Sequence, residues 1–189
     1  FVTKSSVYET THPPLGKDIL ALGVMMFGMN PFGMRVMHGL IGICFIIALF
    51  FLGRQVLATR FGAYATMLAG FFDFMPLVQS RYSTIDTTSV LFITLMLIFT
   101  FKYVREQLQP VPGRKSWGTI ALIILFYALG ADVKWTANYG FAGVVVCVAV
   151  VKLQQYLALK RGKASTADLK TAAKSSREKK GEKPAGLAV

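Results

Sequence analysis

Read as a string of apolar and polar positions, the chain alternates long uninterrupted apolar runs with short polar breaks. Apolar runs of roughly 17–25 residues have the length a bilayer core demands of a helix. Residues 36–53, 61–79, 87–104, 117–131 and 135–151 are such runs, the fourth short at 15 residues and extended by its flanks. They predict an all-α, polytopic transmembrane helix bundle of about five spans. A further apolar run, residues 19–29, is too short to cross and is interrupted by Gly23 and Gly28. It predicts a short interfacial helix lying on the membrane. The pattern divides the chain into a polar entry segment with that helix (1–35), a bundle (36–153), and a tail or loop (154–189).

Composition agrees. The 189 residues are 54% hydrophobic with mean hydropathy +0.52, yet carry a net charge of +12. The charge is informative through its placement. With the first loop outside, sixteen of the 21 Lys and Arg fall inside, ten of them from Lys152 onward, and only Lys4, Lys17, Arg35, Arg81 and Lys134 fall outside. Short inner loops rich in basic residues fix this orientation. The basic balance is thus a membrane signature, and no nucleic-acid partner is expected. Residues 160–189, rich in Lys, Ala, Ser and Gly, cannot bury enough apolar surface to fold alone, and predict a disordered cytoplasmic tail in reach of anionic lipid headgroups.

Candidate chemistry gathers at the outer edge. Residues 8–17, YETTHPPLGK, put Glu9, His12 and Lys17 within nine positions around Pro13-Pro14. Proline fixes φ and restricts the residue before it, so this motif reads either as a rigid, extended approach to the next helix or as a loop whose prolines merely start that helix. Arg35 opens the first span. Asp73 lies in the outer half of the second, near the kinking Pro76, and Arg81 and Asp86 occupy the loop after it. Asp132, Lys134 and Trp135 form the next outer turn. Singly, Arg81–Asp86 and Asp132–Lys134 read as ordinary interfacial ion pairs. Taken together, cations from three outer segments suit a lipid-linked phosphate, to which arginine offers a bidentate fork and lysine a point charge. Carboxylates at the same rim suit orientation or deprotonation of a hydroxyl. Cys44 and Cys147 lie inside spans without metal-ligand spacing and read as small apolar packers, and no metal site is expected. His38, one turn after Arg35, reads as packing against or bonding a neighbouring helix.

Four motifs in order carry a resemblance: YETTHPPLGK with the following FGMNPFGMR (27–35), FDF (72–74), QSRYSTID (79–86), and DVKWT (132–136). The chain resembles the protein O-mannosyltransferases, in particular the bacterial phospholipid carrier-dependent glycosyltransferases, over about residues 8–151. The resemblance implies a GT-C transmembrane fold in a bacterial cell membrane. It implies transfer of a sugar, mannose first of all, from a polyprenyl-phosphate carrier to Ser or Thr hydroxyls of a secreted protein or to another acceptor, with inversion at the anomeric carbon. Carried onto this sequence, it makes Arg35, Arg81 and Lys134 candidates for gripping the donor phosphate. Glu9, His12, Lys17, Asp73, Asp86 and Trp135 would shape the outer site, with Trp135 covering lipid phosphate or sugar. The lipid-linked sugar is a co-substrate, and no cofactor is expected. The family's acidic motif, held to supply the catalytic base, would precede Phe1, so the chain is expected to be a fragment, inactive alone. Monomer and dimer are both compatible with this reading.

Two other classes compete. A cation pathway through Asp73, Asp86 and Asp132 requires polar positions at mid-span, where spans one, three and five are apolar. A non-catalytic membrane scaffold or assembly subunit would use Gly39, Gly42, Gly140 and Gly143 for helix packing.

Overall fold

A computed structural model describes residues 12–108 and 116–181. Among these, the structure is helical throughout: α1 (Leu15–Phe27), α2 (Val36–Leu57), α3 (Arg60–Phe72), α4 (Phe74–Arg81), α5 (Ile85–Leu108), α6 (Trp117–Ala131) and α7 (Thr136–Gly181). The chain divides into two compact units, one running to Val145 and one from Val146. The second unit is the later part of α7.

Among the described residues, three helices are long and apolar enough to cross a membrane: α2, α5, and α7 over Thr136–Lys160. The α3–α4 pair makes a fourth if counted as one broken span. Helix α6, at 15 residues, reaches about 22 Å at 1.5 Å per residue, short of the roughly 30 Å hydrocarbon core. All five apolar runs are therefore helical, but by length and composition three, or four with the broken pair, qualify as spans. Broad apolar surfaces, such as Leu40, Ile43, Ile47 and Phe51 on α2, remain outward. Outward apolar area on this scale fits lipid or further helices, not water.

The second run is not one straight helix. It bends by 56° between α3 and α4, and the break lies at Asp73 and not at Pro76. Asp73 takes an extended conformation and its carboxylate accepts from the Met75 N–H at 3.1 Å, capping α4. Pro76 then falls in the first turn of α4, where its missing N–H leaves no helical bond unmade.

Helices α2 and α5 run side by side in the same direction. Ser83 Oγ donates to the Met34 carbonyl at 2.6 Å at one end, and Arg105 Nη2 donates to the Gln55 carbonyl at 3.1 Å at the other. Between them lies a core of Phe45, Ala48, Leu91 and Ile98. Helix α6 packs on α5, where Phe126 stacks on Phe99 at 5.5 Å. The start of α7 comes in beside α5, with Gly140 against Ile93 and Met96.

Two further expectations are corrected. The Pro13-Pro14 segment does not run extended into its helix: Pro14 is already αR, its carbonyl accepts from the N–H groups of Lys17 and Asp18, and α1 starts at Leu15. A proline's φ serves a first helical turn as well as an extended strand, and here the turn prevails. The tail expected to be disordered from residue 154 continues α7 as helix to Gly181. Its Ala, Lys and Glu content favours helix residue by residue, a preference that a criterion of apolar burial does not weigh.

Candidate functional site at the outer rim

The elements that carry the predicted residues meet at one end of the bundle. Helix α1 starts against the α6–α7 turn, the Leu15 N–H donating to the Asp132 carbonyl at 3.2 Å. Gly16 allows that approach: a Cβ there would stand 2.6 Å from Ile85 Cγ2. The chain then reverses at Gly28 (φ +83°) and Asn30, whose Oδ1 accepts from the N–H groups of Phe32 and Gly33. This Asx turn aims the chain into α2 at Arg35. Ser83, itself left-handed (φ 59°), clasps Met34 and so ties the end of the 79–86 motif to the start of α2.

Arg35 and Arg81 line one cavity of about 350 Å³, with Phe74, Leu77, Val78 and Tyr82. Both side chains are exposed, and among the described residues neither guanidinium has a hydrogen-bond or ion-pair partner. Lys134 is placed differently. Its ammonium donates to Asp86 Oδ1 in a half-buried ion pair that joins the α6–α7 turn to the start of α5. The pairs expected within single loops, Arg81–Asp86 and Asp132–Lys134, do not form; the bridge crosses between loops. Since both partners are about a third exposed, it contributes at most about 1 kcal/mol. Its larger effect is to hold the lysine at the rim.

The remaining predicted residues sort by position. Lys17 Nζ reaches the His12 carbonyl at 3.4 Å, within the α1 entry. His12 is half-buried, with Nδ1 unpartnered. Trp135 is exposed beside Lys134, and Asp73 is exposed at the α3–α4 break. Glu9 lies outside the described residues.

Residues 11–165 match the family described as dolichyl-phosphate-mannose-protein mannosyltransferase. The chain belongs to that family. It is 28% identical over 148 residues to a polyprenol-phosphate-mannose–protein mannosyltransferase of Corynebacterium glutamicum, covering 69% of this chain and 28% of the relative. Proteins of the same description from Mycolicibacterium smegmatis and Mycobacterium tuberculosis are 29% and 26% identical, over 77% of this chain and 32% and 31% of theirs. The chain thus spans about a third or less of the curated relatives it matches. No solved structure matches it.

Within this family member, sequence reasoning missed two features. Phe74, Leu77, Val78 and Tyr82 line the arginine cavity, though only the period of a helix beginning after Asp73 would have put Phe74, Leu77 and Arg81 on one face. The second is a polar layer just below the rim. His38, Thr87 and Thr88 are fully or nearly fully buried, at 0%, 3% and 0% exposure, and the two imidazole nitrogens and both hydroxyls lack a partner among the described residues. The clasp and strut that join α2 to α5 pair residues 49 and 50 positions apart, which puts His38 level with Thr87 and Thr88. Thr94 and Thr100, deeper on α5, instead donate to the carbonyls of Val90 and Met96 one turn back. Thr87 and Thr88 stand in the first turn, where the residues four back precede the helix.

Proposed function

We infer that this chain is part of a membrane glycosyltransferase that moves a sugar, mannose in the first instance, from a polyprenyl-phosphate carrier to a protein Ser or Thr hydroxyl. The observation that carries the reading is the pair of guanidinium groups, Arg35 and Arg81, unpartnered among the described residues and lining one cavity at the end of the bundle. Two uncompensated cations beside apolar helices suit a phosphate that arrives on a lipid. In this reading the rim faces outward, and the basic inner loops and tail face the cytoplasm. Membership of a family whose relatives are named for a polyprenol-phosphate-mannose donor supports the same assignment.

The reaction is a displacement at the anomeric carbon. The acceptor oxygen forms the new bond, the bond from that carbon to the phosphate oxygen breaks, and the lipid phosphate leaves with the electron pair. Arg35 and Arg81 stabilise the charge that develops on the leaving phosphate, which is where fixed cations lower a barrier. Lys134, held by Asp86, adds a third cation at the same rim. Attack from the face opposite the phosphate inverts the centre. A carboxylate base takes the acceptor's proton as the new bond forms. His12, Lys17, Asp73 and Trp135 are assigned to shaping the mouth, and no cofactor takes part.

The test is radiolabelled mannose transfer from polyprenyl-phosphate-mannose to a Ser/Thr-rich peptide, in membranes holding the full-length parent. Arg81→Gln removes a charge-assisted contact to phosphate and should lower transfer by about 10–100-fold, with membrane insertion unchanged. Transfer at the parent's rate would overturn the assignment. Absence of transfer in the parent itself, with no donor binding, would favour the scaffold.

A further inference from the structure

The seam between α2 and α5 is apolar along most of its length and polar at its rim end. On α2 the row His38, Ile41, Phe45, Ala48 and Leu52 steps by three and four residues, the period of a helix face packed lengthwise on another. On α5 the facing row is Leu91, Leu95 and Ile98, and Thr87 and Thr88 stand four and three residues before Leu91, at its head. Both rows therefore begin with polar side chains. His38 has no exposed surface, Thr87 and Thr88 have almost none, and the clasp at Ser83 brings them level. Four polar atoms are orphaned together among the described residues: Nδ1 and Nε2 of His38 and the two threonine hydroxyl oxygens. Leaving one buried donor or acceptor unsatisfied is costly, and four in one layer ask for a common partner.

We propose that this layer is an internal water site, in which ordered water bridges His38 to Thr87 and Thr88 and fixes the register of α2 against α5. The partner must be small, because the side chains are already enclosed, and it must both donate and accept. A neutral imidazole brings one donor and one acceptor, and each hydroxyl brings a donor and two lone pairs. Water answers all of these. The two ring nitrogens point away from each other, so one molecule cannot bond both. About two waters, each with the bonds usual for buried water, satisfy the layer. Threonine is smaller than the leucine and isoleucine of the seam below, which leaves space beside the ring. The layer also has a use. Apolar rows can slip past each other by a turn, whereas a polar layer is satisfied in one register only, and specifies it at a cost in stability. That register matters at the rim. Arg35 precedes His38 by three residues, about 4.5 Å of helix rise, and Asp86, which holds Lys134, directly precedes Thr87. The layer thereby sets how far Arg35 stands from Lys134, and His38 is a positioning residue. This consequence rests on the reading of the rim cations as the phosphate site; the water site itself does not.

The experiment takes the full-length parent in lipid nanodiscs, images it by cryo-electron microscopy at a resolution that shows ordered water, and measures binding of undecaprenyl phosphate. The parent should show water within hydrogen-bond distance of His38 and of Thr87 or Thr88. His38→Leu should lose that density and bind the phosphate about 3–10-fold more weakly, while folding at least as stably. His38→Gln, which still donates and accepts, should keep the water and hold affinity within about twofold. Replacing both threonines, Thr87→Val with Thr88→Val, should resemble His38→Leu. Combining all three changes should weaken binding no further, because a shared layer is lost once. A histidine that only packs would move affinity and stability in the same direction; here they part. A dry layer, a direct bond from imidazole to hydroxyl, or a side chain from elsewhere in the parent on the ring would overturn the water site. Water density in the parent, with His38→Leu binding at the parent's affinity, would overturn the positioning role. Arg81→Gln tests the underlying reading separately: if it leaves binding unchanged, the phosphate site fails, and the water density still decides the layer.

Discussion

The two flanks of α2 make opposite use of one helix. Toward α5 it presents His38, Phe45 and Ala48, all buried, in a seam closed at both ends by side-chain-to-carbonyl bonds. Toward α3 and α4 it presents Gly39, Gly42, Ile43 and Ile46 to an open groove. One flank maximises contact and the other keeps space. The difference shows that a glycine in a membrane helix is not by itself a packing signal. Gly140 does serve packing, with Ile93 and Met96 close by, whereas Gly39 and Gly143 have no neighbour within 4 Å of a built Cβ.

Substitutions can break that contrast. The largest effect is expected at Phe45→Ala on the closed flank. It should lower the stability of the full-length parent by about 3 kcal/mol, the low end for buried phenylalanine because lipid already offers apolar contact to the unpacked helix. Steric-trap unfolding would read it, and a loss under 1 kcal/mol would mean the seam is loosely packed. His38→Leu on the same flank should act in the opposite sense. It removes two buried nitrogens that have no partner among the described residues and should raise stability by about 1 kcal/mol. A drop would reveal that the parent supplies the imidazole with a partner. Smallest is Gly39→Ala on the open flank, expected to stabilise by about 0.5–1 kcal/mol through helix propensity alone. Gly42→Ala should not match it, because Ser80 Cβ would stand 2.9 Å from the new methyl. Equal gains at both positions would show that α4 yields freely.

Much of this was legible in the apolar runs. Their lengths put helices where α2, α5, α6 and α7 lie, and the charged outer motifs fall together at one end. What periodicity could not supply was which charge meets which. Lys134 finds Asp86, 48 positions away, because the start of α1 wedges the α6–α7 turn against α5 through Gly16. The break at Asp73 was hidden for a related reason. Proline announces a kink by composition, while a capping aspartate does so only through a bond to a backbone N–H two residues on. His38 was read as packing against or bonding a neighbouring helix, but whether its buried atoms find partners depends on register between helices, which one sequence does not encode locally.

The parallel pairing of α2 and α5 has a consequence for how the chain is assembled. Helices that run in the same direction cannot be joined by a short turn, so the whole α3–α4 return must be laid down before the seam between them can close. Helix α3 can dock on α2 as soon as it enters the membrane, since only Ala58 and Thr59 separate them. The α2–α5 seam, linking residues some 50 positions apart, comes later in synthesis. Until α5 arrives, the flank of α2 that carries His38 faces lipid, and the nascent chain holds a polar side chain in hydrocarbon. A chain arrested after α4 is thus the species most exposed to membrane quality control, and α5 is the helix that ends that exposure.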